Sequence, residues 1–171
     1  MKKDSNAASA TPPSAGSSGI TRKTLIENLN EDLSREYQAI IAYTVYSQVL
    51  KGAEYMNIAD ELEVHATEEL QHAITISNQI DYLGGMPTGT PKPVVLTEDN
   101  KEMLRADLKN ETETILNYRE RIKQCEELGE YAIAEHIREI LIQEQDHLIS
   151  LATALGIDPP KLEGTRRPAK A

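Results

Sequence analysis

Glu69-Leu70-Gln71-His72 and Glu144-Gln145-Asp146-His147 decide the reading of this chain. On a helix, residues three apart share a face, so each stretch presents a carboxylate beside an imidazole. One Glu-x-x-His is weak evidence, since acidic helices produce it by chance. Here each copy has a partner at a matched distance upstream. Glu36 precedes Glu69 by 33 residues, and Glu111 precedes Glu144 by 33. His72 and His147 each follow their upstream Glu by 36, and Tyr43 and Tyr118 each follow theirs by seven.

One Glu from each of two helices, plus Glu-x-x-His from each of two others, is the ligand set of a four-helix bundle holding two metal ions. Four carboxylates and two neutral imidazoles nearly balance two divalent ions, and this oxygen and nitrogen mixture suits iron or manganese, with zinc or nickel also accommodated. The expected metal residues are therefore Glu36, Glu69, His72, Glu111, Glu144 and His147. Glu36 falls beside Ile40, and Glu111 beside Ile115. Acids on apolar faces are costly to bury unless a cation or another polar group meets them. Tyr43 and Tyr118 are the candidate catalytic residues, able to hydrogen-bond a ligand or donate an electron when oxygen is reduced. The alternative is a core tyrosine with a satisfied hydroxyl.

The composition narrows the rest. The chain has 171 residues, enough for one domain with a real core. It is 27% charged and lacks Phe and Trp, which suits helices and excludes an aromatic-rich β-sandwich. A formal net charge of −10 argues against nucleic acid as a partner and is compatible with attracting cations. Cys125 is the single cysteine, so an intrachain disulfide is impossible. No apolar run has membrane-spanning length, and the start of the chain lacks a signal core. A cytoplasmic location is the default expectation.

The chain divides into an arm at 1–20, a helical bundle at 21–158 and a tail at 159–171. The arm is rich in Ser, Ala, Pro and Gly, a composition expected to be disordered. The tail carries Arg166, Arg167 and Lys170 and is expected to be flexible. Four helices are predicted. The first begins at a Thr21 or Thr24 cap and ends near Lys51, before Gly52. The second spans about 54–83, with Ile58, Leu62, Leu70, Ile76 and Ile80 as core, and stops at Gly84-Gly85. The third follows Thr97-Glu98-Asp99 and runs to Leu128, and the fourth spans about 130–155. Leu25, Leu29, Leu33, Ile40 and Val45 are the expected core of the first helix. The Pro- and Gly-rich stretch at 85–97 is a long crossover, which makes the topology ferritin-like. Of the other histidines, His65 is expected to be capped or exposed, with a supporting role beside the metal or an extra metal contact as the alternative, and His136 has no partner that sequence can name. Cys125 is read as structural.

The resemblance rests on Leu29-x-x-x-Leu33-x-x-Glu36-x-x-Ala39-x-x-x-Tyr43 and Glu69-Leu70-Gln71-His72-Ala73. It continues in Met103-Leu104-Arg105-x-Asp107-Leu108-x-x-Glu111 and Glu144-x-x-His147. Over residues 22–156 the chain resembles the bacterioferritin branch of the ferritin-like di-iron superfamily. The resemblance implies Glu36 and Glu111 as terminal ligands, Glu69 and Glu144 as bridges, and His72 and His147 completing a di-iron site. It implies a ferroxidase that oxidises Fe(II) with oxygen or hydrogen peroxide, and a homo-oligomer anywhere from a dimer to a cage. The Glu-rich pattern also resembles Dps-like miniferritins, so 12 subunits stand beside 24. Bacterioferritins bind haem through a Met directly after the first bridging Glu. Leu70 stands there, so haem is not expected. His65 is one residue out of register with a histidine of that family's inner-surface iron site. Two other functions remain open, a rubrerythrin-like peroxidase using the same di-iron site and a metal-bound structural bundle without turnover.

Overall fold

Tertiary structure was obtained as a computed structural model, described over residues 19–162. The expected arm, apart from its last two residues, and most of the expected tail fall outside that range. Four long helices make the fold: α1 (Arg22–Val49), α2 (Met56–Tyr82), α3 (Asn100–Glu127) and α4 (Tyr131–Leu155). A short 3-10 turn at Ala53–Tyr55 leads into α2.

Local chemistry sets the ends. Thr21 accepts a hydrogen bond from the Thr24 amide, and Asp99 accepts one from the Glu102 amide, so each caps orphan donors of its helix. After α2, Gly84 turns back with φ of +84°, a conformation that favours glycine. Gly85 follows with its amide on the Ile80 carbonyl at 2.9 Å. A Cβ at Gly85 would lie 2.6 Å from Cγ2 of Ile26, so the α2 terminus can approach α1 only without a side chain.

The crossover between α2 and α3 is strapped along α1. Asn30 bonds both the Met86 carbonyl and the Thr88 amide, the Lys92 amide reaches the Ser34 carbonyl, and Gln38 donates to the Pro93 carbonyl. The Tyr46 hydroxyl donates to the Val95 carbonyl. This long return makes α1 and α3 antiparallel. The pairs Arg22–Glu130, Asn28–Gln124 and Asp32–Arg121 mark their shared register, with Glu130 lying just beyond α3.

Two apolar clusters fill the bundle. One holds Leu25, Leu29, Leu33, Ile76, Ile80, Ile133 and Ile137. The other holds Ala42, Tyr46, Leu62, Met103, Leu104, Leu148 and Leu151. Between them in sequence on every helix stand the buried acids and histidines. Three core assignments change. Ile40 and Val45 are only half-buried, and Ala42, Tyr43 and Tyr46 take the inward positions of α1. Leu70 is 47% exposed, because adjacent helical residues point about 100° apart and Glu69 occupies the inward direction.

Asp32 and Arg121 form a buried ion pair, with Nε on Oδ2 at 2.6 Å and Nη2 on Oδ1 at 3.1 Å. It clamps α1 to α3 beside the site. Arg121→Met should destabilise the fold by about 3–5 kcal/mol, since it strands a buried carboxylate. Replacing both partners by apolar residues should recover most of that loss. Denaturant melts of the two variants provide the check, and equal destabilisation in both would contradict it.

Candidate metal centre

All six residues singled out by the repeat point into the bundle. Glu36 on α1, Glu69 and His72 on α2, Glu111 on α3, and Glu144 and His147 on α4 are each at most 3% exposed. They fall into two overlapping groups. Glu36, Glu69, His72 and Glu144 form one, and Glu69, Glu111, Glu144 and His147 form the other. Within each group the donor atoms lie within 4.8 Å of one another. Glu69 and Glu144 belong to both, the geometry expected of two carboxylates shared between neighbouring cations.

Both imidazoles face the acids through Nδ1. His72 Nδ1 lies 3.1 Å from Glu144 Oε1 and 3.3 Å from oxygens of Glu36 and Glu69. His147 Nδ1 lies 2.9 Å from Glu69 Oε1 and 3.6 Å from Glu144 Oε2. The outer nitrogens are held elsewhere, His72 Nε2 by Gln143 and His147 Nε2 by Glu68, each at 2.8 Å.

Tyr43 and Tyr118 make a reciprocal exchange across the bundle. Tyr43, on α1, donates to Glu111 of α3, and Tyr118, on α3, donates to Glu36 of α1. Each phenol therefore aims the acid of the opposite helix, where the sequence alone could only place it below the acid of its own. One oxygen of each terminal acid is thereby held, and the other, Oε2 of Glu36 or Glu111, makes no aligned hydrogen bond. Both oxygens of Glu144 and Oε1 of Glu69 are likewise buried and make no aligned hydrogen bond, although the imidazole Nδ1 atoms lie close by. Buried carboxylate oxygens left this way are expensive. A pair of hard cations among them would satisfy them all, so the donor set fits a di-metal group.

Proton positions follow from burial and crowding. Burial, reinforced by Glu69 and Glu144, lifts the Glu36 and Glu111 carboxyls well above the usual range. Burial also works against ionised Glu69 and Glu144, but hydrogen bonds from the two imidazoles hold both below it. For the histidines burial disfavours the cation, yet the surrounding carboxylates win, raising His72 strongly and His147 to about 10. Burial and the nearby acids push both tyrosines far up, so they remain phenol donors.

Other titratable residues depart from expectation or went unnoticed. His65 is 2% exposed, not surface-placed. Its ring stacks on His147 with centroids 4.0 Å apart, and burial together with His147 drives its pKa down to about 3. With Glu68 and His147 it forms a third group of potential donors. His136 is half-buried and lies beside Glu139. Cys125 is buried, and burial raises its thiol to about 11.

Asp32, Asp107, Arg121, Glu68 and Gln143 were not foreseen. The signal was present: Asp107 follows Asp32 by 75 residues, the spacing that relates Glu36 to Glu111 and Tyr43 to Tyr118. Arg121 has no counterpart in the other half, where Tyr46 stands 75 residues earlier. Asp32 therefore has its cation, while Oδ2 of Asp107 has no partner. Burial, and secondarily Glu69, raises the Asp107 pKa well above its ordinary value. A raised acid binds its proton more tightly folded than unfolded, so its contribution to stability falls as pH rises above about 4. Asp107→Asn should stabilise the metal-free fold at pH 8 by about 1–3 kcal/mol, with little effect at pH 4. Thermal melts at both pH values test this, and a gap that fails to widen with pH would refute it.

The ferritin-like domain family matches residues 26–158. The chain belongs to the ferritin-like family. Its bacterioferritin relatives include that of Brucella melitensis, 31% identical over 134 residues that cover 78% of this chain and 83% of the relative. The bacterioferritin of Desulfovibrio desulfuricans is 30% identical over 78% of this chain and 75% of its own length. A crystal structure described as ferritin-like, diiron-carboxylate proteins from Bacillus anthracis superposes with a TM-score of 0.75. It is 34% identical, with 78% of this chain and 96% of that one covered. The expected ferritin-like bundle is therefore correct, and the buried histidine–glutamate cluster of this ferritin-like chain fits a di-iron centre. Among the described residues no helix is long and apolar enough to cross a membrane.

Proposed function

We propose that this ferritin-like chain is a ferroxidase that oxidises Fe(II) with oxygen or hydrogen peroxide, serving iron storage and detoxification. The observation that supports it most is the sharing of Glu69 and Glu144 between two groups of donors whose inward oxygens make no aligned hydrogen bond. Glu36 and His72 would hold one ion and Glu111 and His147 the other, with Glu69 and Glu144 bridging. An iron pair bound there supplies two electrons for reduction of the oxidant.

The protein's part is placement and proton control. Tyr43 and Tyr118 aim Glu111 and Glu36 and keep one oxygen of each occupied, leaving the other for a cation. Glu68 and Gln143 hold the outer nitrogens of His147 and His72, which directs Nδ1 of each ring inward. Apolar clusters on both sides exclude bulk water from the layer. We propose further that the protein works in the cytoplasm as a homo-oligomer.

Anaerobic loading of the metal-free protein followed by stopped-flow mixing with oxygen or peroxide tests the reading. A fast phase saturating at two Fe(II) per chain is expected, and oxidation no faster than free Fe(II) in buffer would refute it. Haem has no place in this reading. Leu70 lies on the outer face of α2, and its aliphatic side chain cannot ligate iron. Reconstitution with haem should give no Soret band at stoichiometric loading, and a band near one haem per two chains would contradict the expectation.

A further inference from the structure

The 75-residue repeat matches the two halves of the site almost residue for residue: Glu36 with Glu111, Glu69 with Glu144, His72 with His147 and Tyr43 with Tyr118. The residues immediately before the shared glutamates do not match. One is Glu68 and the other Gln143. They are also the residues that hold the outer nitrogens of the histidines, each reaching from the opposite helix. His147 Nε2 meets Glu68 Oε2 and His72 Nε2 meets Gln143 Oε1, both at 2.8 Å. The amide of Gln143 donates to Glu68 Oε1 at 3.3 Å, which turns its own carbonyl oxygen toward His72. A chain His147–Glu68–Gln143–His72 thus spans the outside of the site.

We propose that Glu68 is a positioning residue that makes the two metal positions unequal, the Glu111–His147 position binding a divalent cation more tightly than the Glu36–His72 position. The inference rests on the di-metal reading of the site. A carboxylate accepts a proton-bearing Nε2 more strongly than an amide oxygen does, since one partner carries charge. The imidazole so held gains electron density at Nδ1 and becomes the better ligand, and partners of this kind commonly change metal affinity by about 10–100-fold. His147 has that carboxylate, and His72 has the neutral amide. Glu68 is able to act on both rings, directly on His147 and through the orientation of Gln143 on His72, but only the first contact is charge-assisted.

The experiment is an anaerobic titration of the full-length, metal-free protein with Co(II), followed by visible absorption and calorimetry. Two binding steps separated by about tenfold are expected for the wild type. Glu68→Gln should weaken the tighter step by about tenfold, so that the steps converge. Gln143→Glu should strengthen the weaker step and bring about convergence from the other side. This second variant carries the test if the first fails to fold. Glu111→Ala should abolish the tighter step and Glu36→Ala the weaker. Two equal wild-type steps, Glu68→Gln weakening both alike, or loss of the tighter step in Glu36→Ala would overturn the proposal while the di-metal reading stands. Fewer than two Co(II) per wild-type chain would bring down both.

Discussion

Glu69→Ala and Glu144→Ala should each abolish rapid Fe(II) oxidation while leaving the protein helical. These two acids are the only members common to both groups of donors, so removing either takes a ligand from both positions at once. Loss of a partner that merely supports a ligand costs about 10–100-fold in affinity or activity, and loss of a shared ligand should exceed that. The fold should survive, because these acids lie between two apolar clusters that hold the helices together without them. Relief of crowding among four buried acids should offset part of any packing loss. Stopped-flow absorbance of the Fe(III) product beside far-ultraviolet circular dichroism makes the comparison. Wild-type rates in both variants would show that the cluster is not the oxidation site.

Metal loading should release protons, and affinity should fall steeply as pH is lowered. Glu36 and Glu111 are raised by burial and by Glu69 and Glu144, so they hold their protons to higher pH than free carboxyls do. His72 and His147 are raised by their carboxylate neighbours despite burial, with His147 at about 10, so they are cations at neutral pH. Glu69 and Glu144, held low by the two imidazoles, supply the matching negative charge. A cation requires carboxylates and neutral imidazoles, so the protons held by these groups must leave when two ions bind. Each proton displaced makes affinity change by about tenfold per pH unit. The sign is fixed: groups with raised pKa hold the competing protons, so lowering pH weakens binding and raising it strengthens binding until His147 titrates near 10. Calorimetry in buffers of different ionisation enthalpy counts the protons directly. Loading without proton release, or with affinity independent of pH between about 6 and 9, would contradict this charge arrangement.

Much of this was determined by the sequence alone. The period of Leu25, Leu29 and Leu33, the capping Thr21 and Asp99, the glycines after α2 and the Pro-rich crossover specify four helices and their order through local chemistry. The repeated Glu and Glu-x-x-His spacing marks the six inward donors, because a helical face is fixed by residue spacing and needs no knowledge of the partner. Spacing cannot tell which neighbour a side chain meets. Only tertiary packing decided that Tyr43 reaches Glu111 and Tyr118 reaches Glu36, since the antiparallel register of α1 and α3 sets those pairs. Packing likewise turned Leu70 outward, buried His65 against His147, and gave Asp32 an arginine while Asp107 received none. It also set the charged Glu68 behind one histidine and the neutral Gln143 behind the other, because each contact joins α2 to α4 across more than 70 residues of chain. A residue's own helix fixes its direction, while the charge it meets there belongs to another helix, and the fold alone brings the two together.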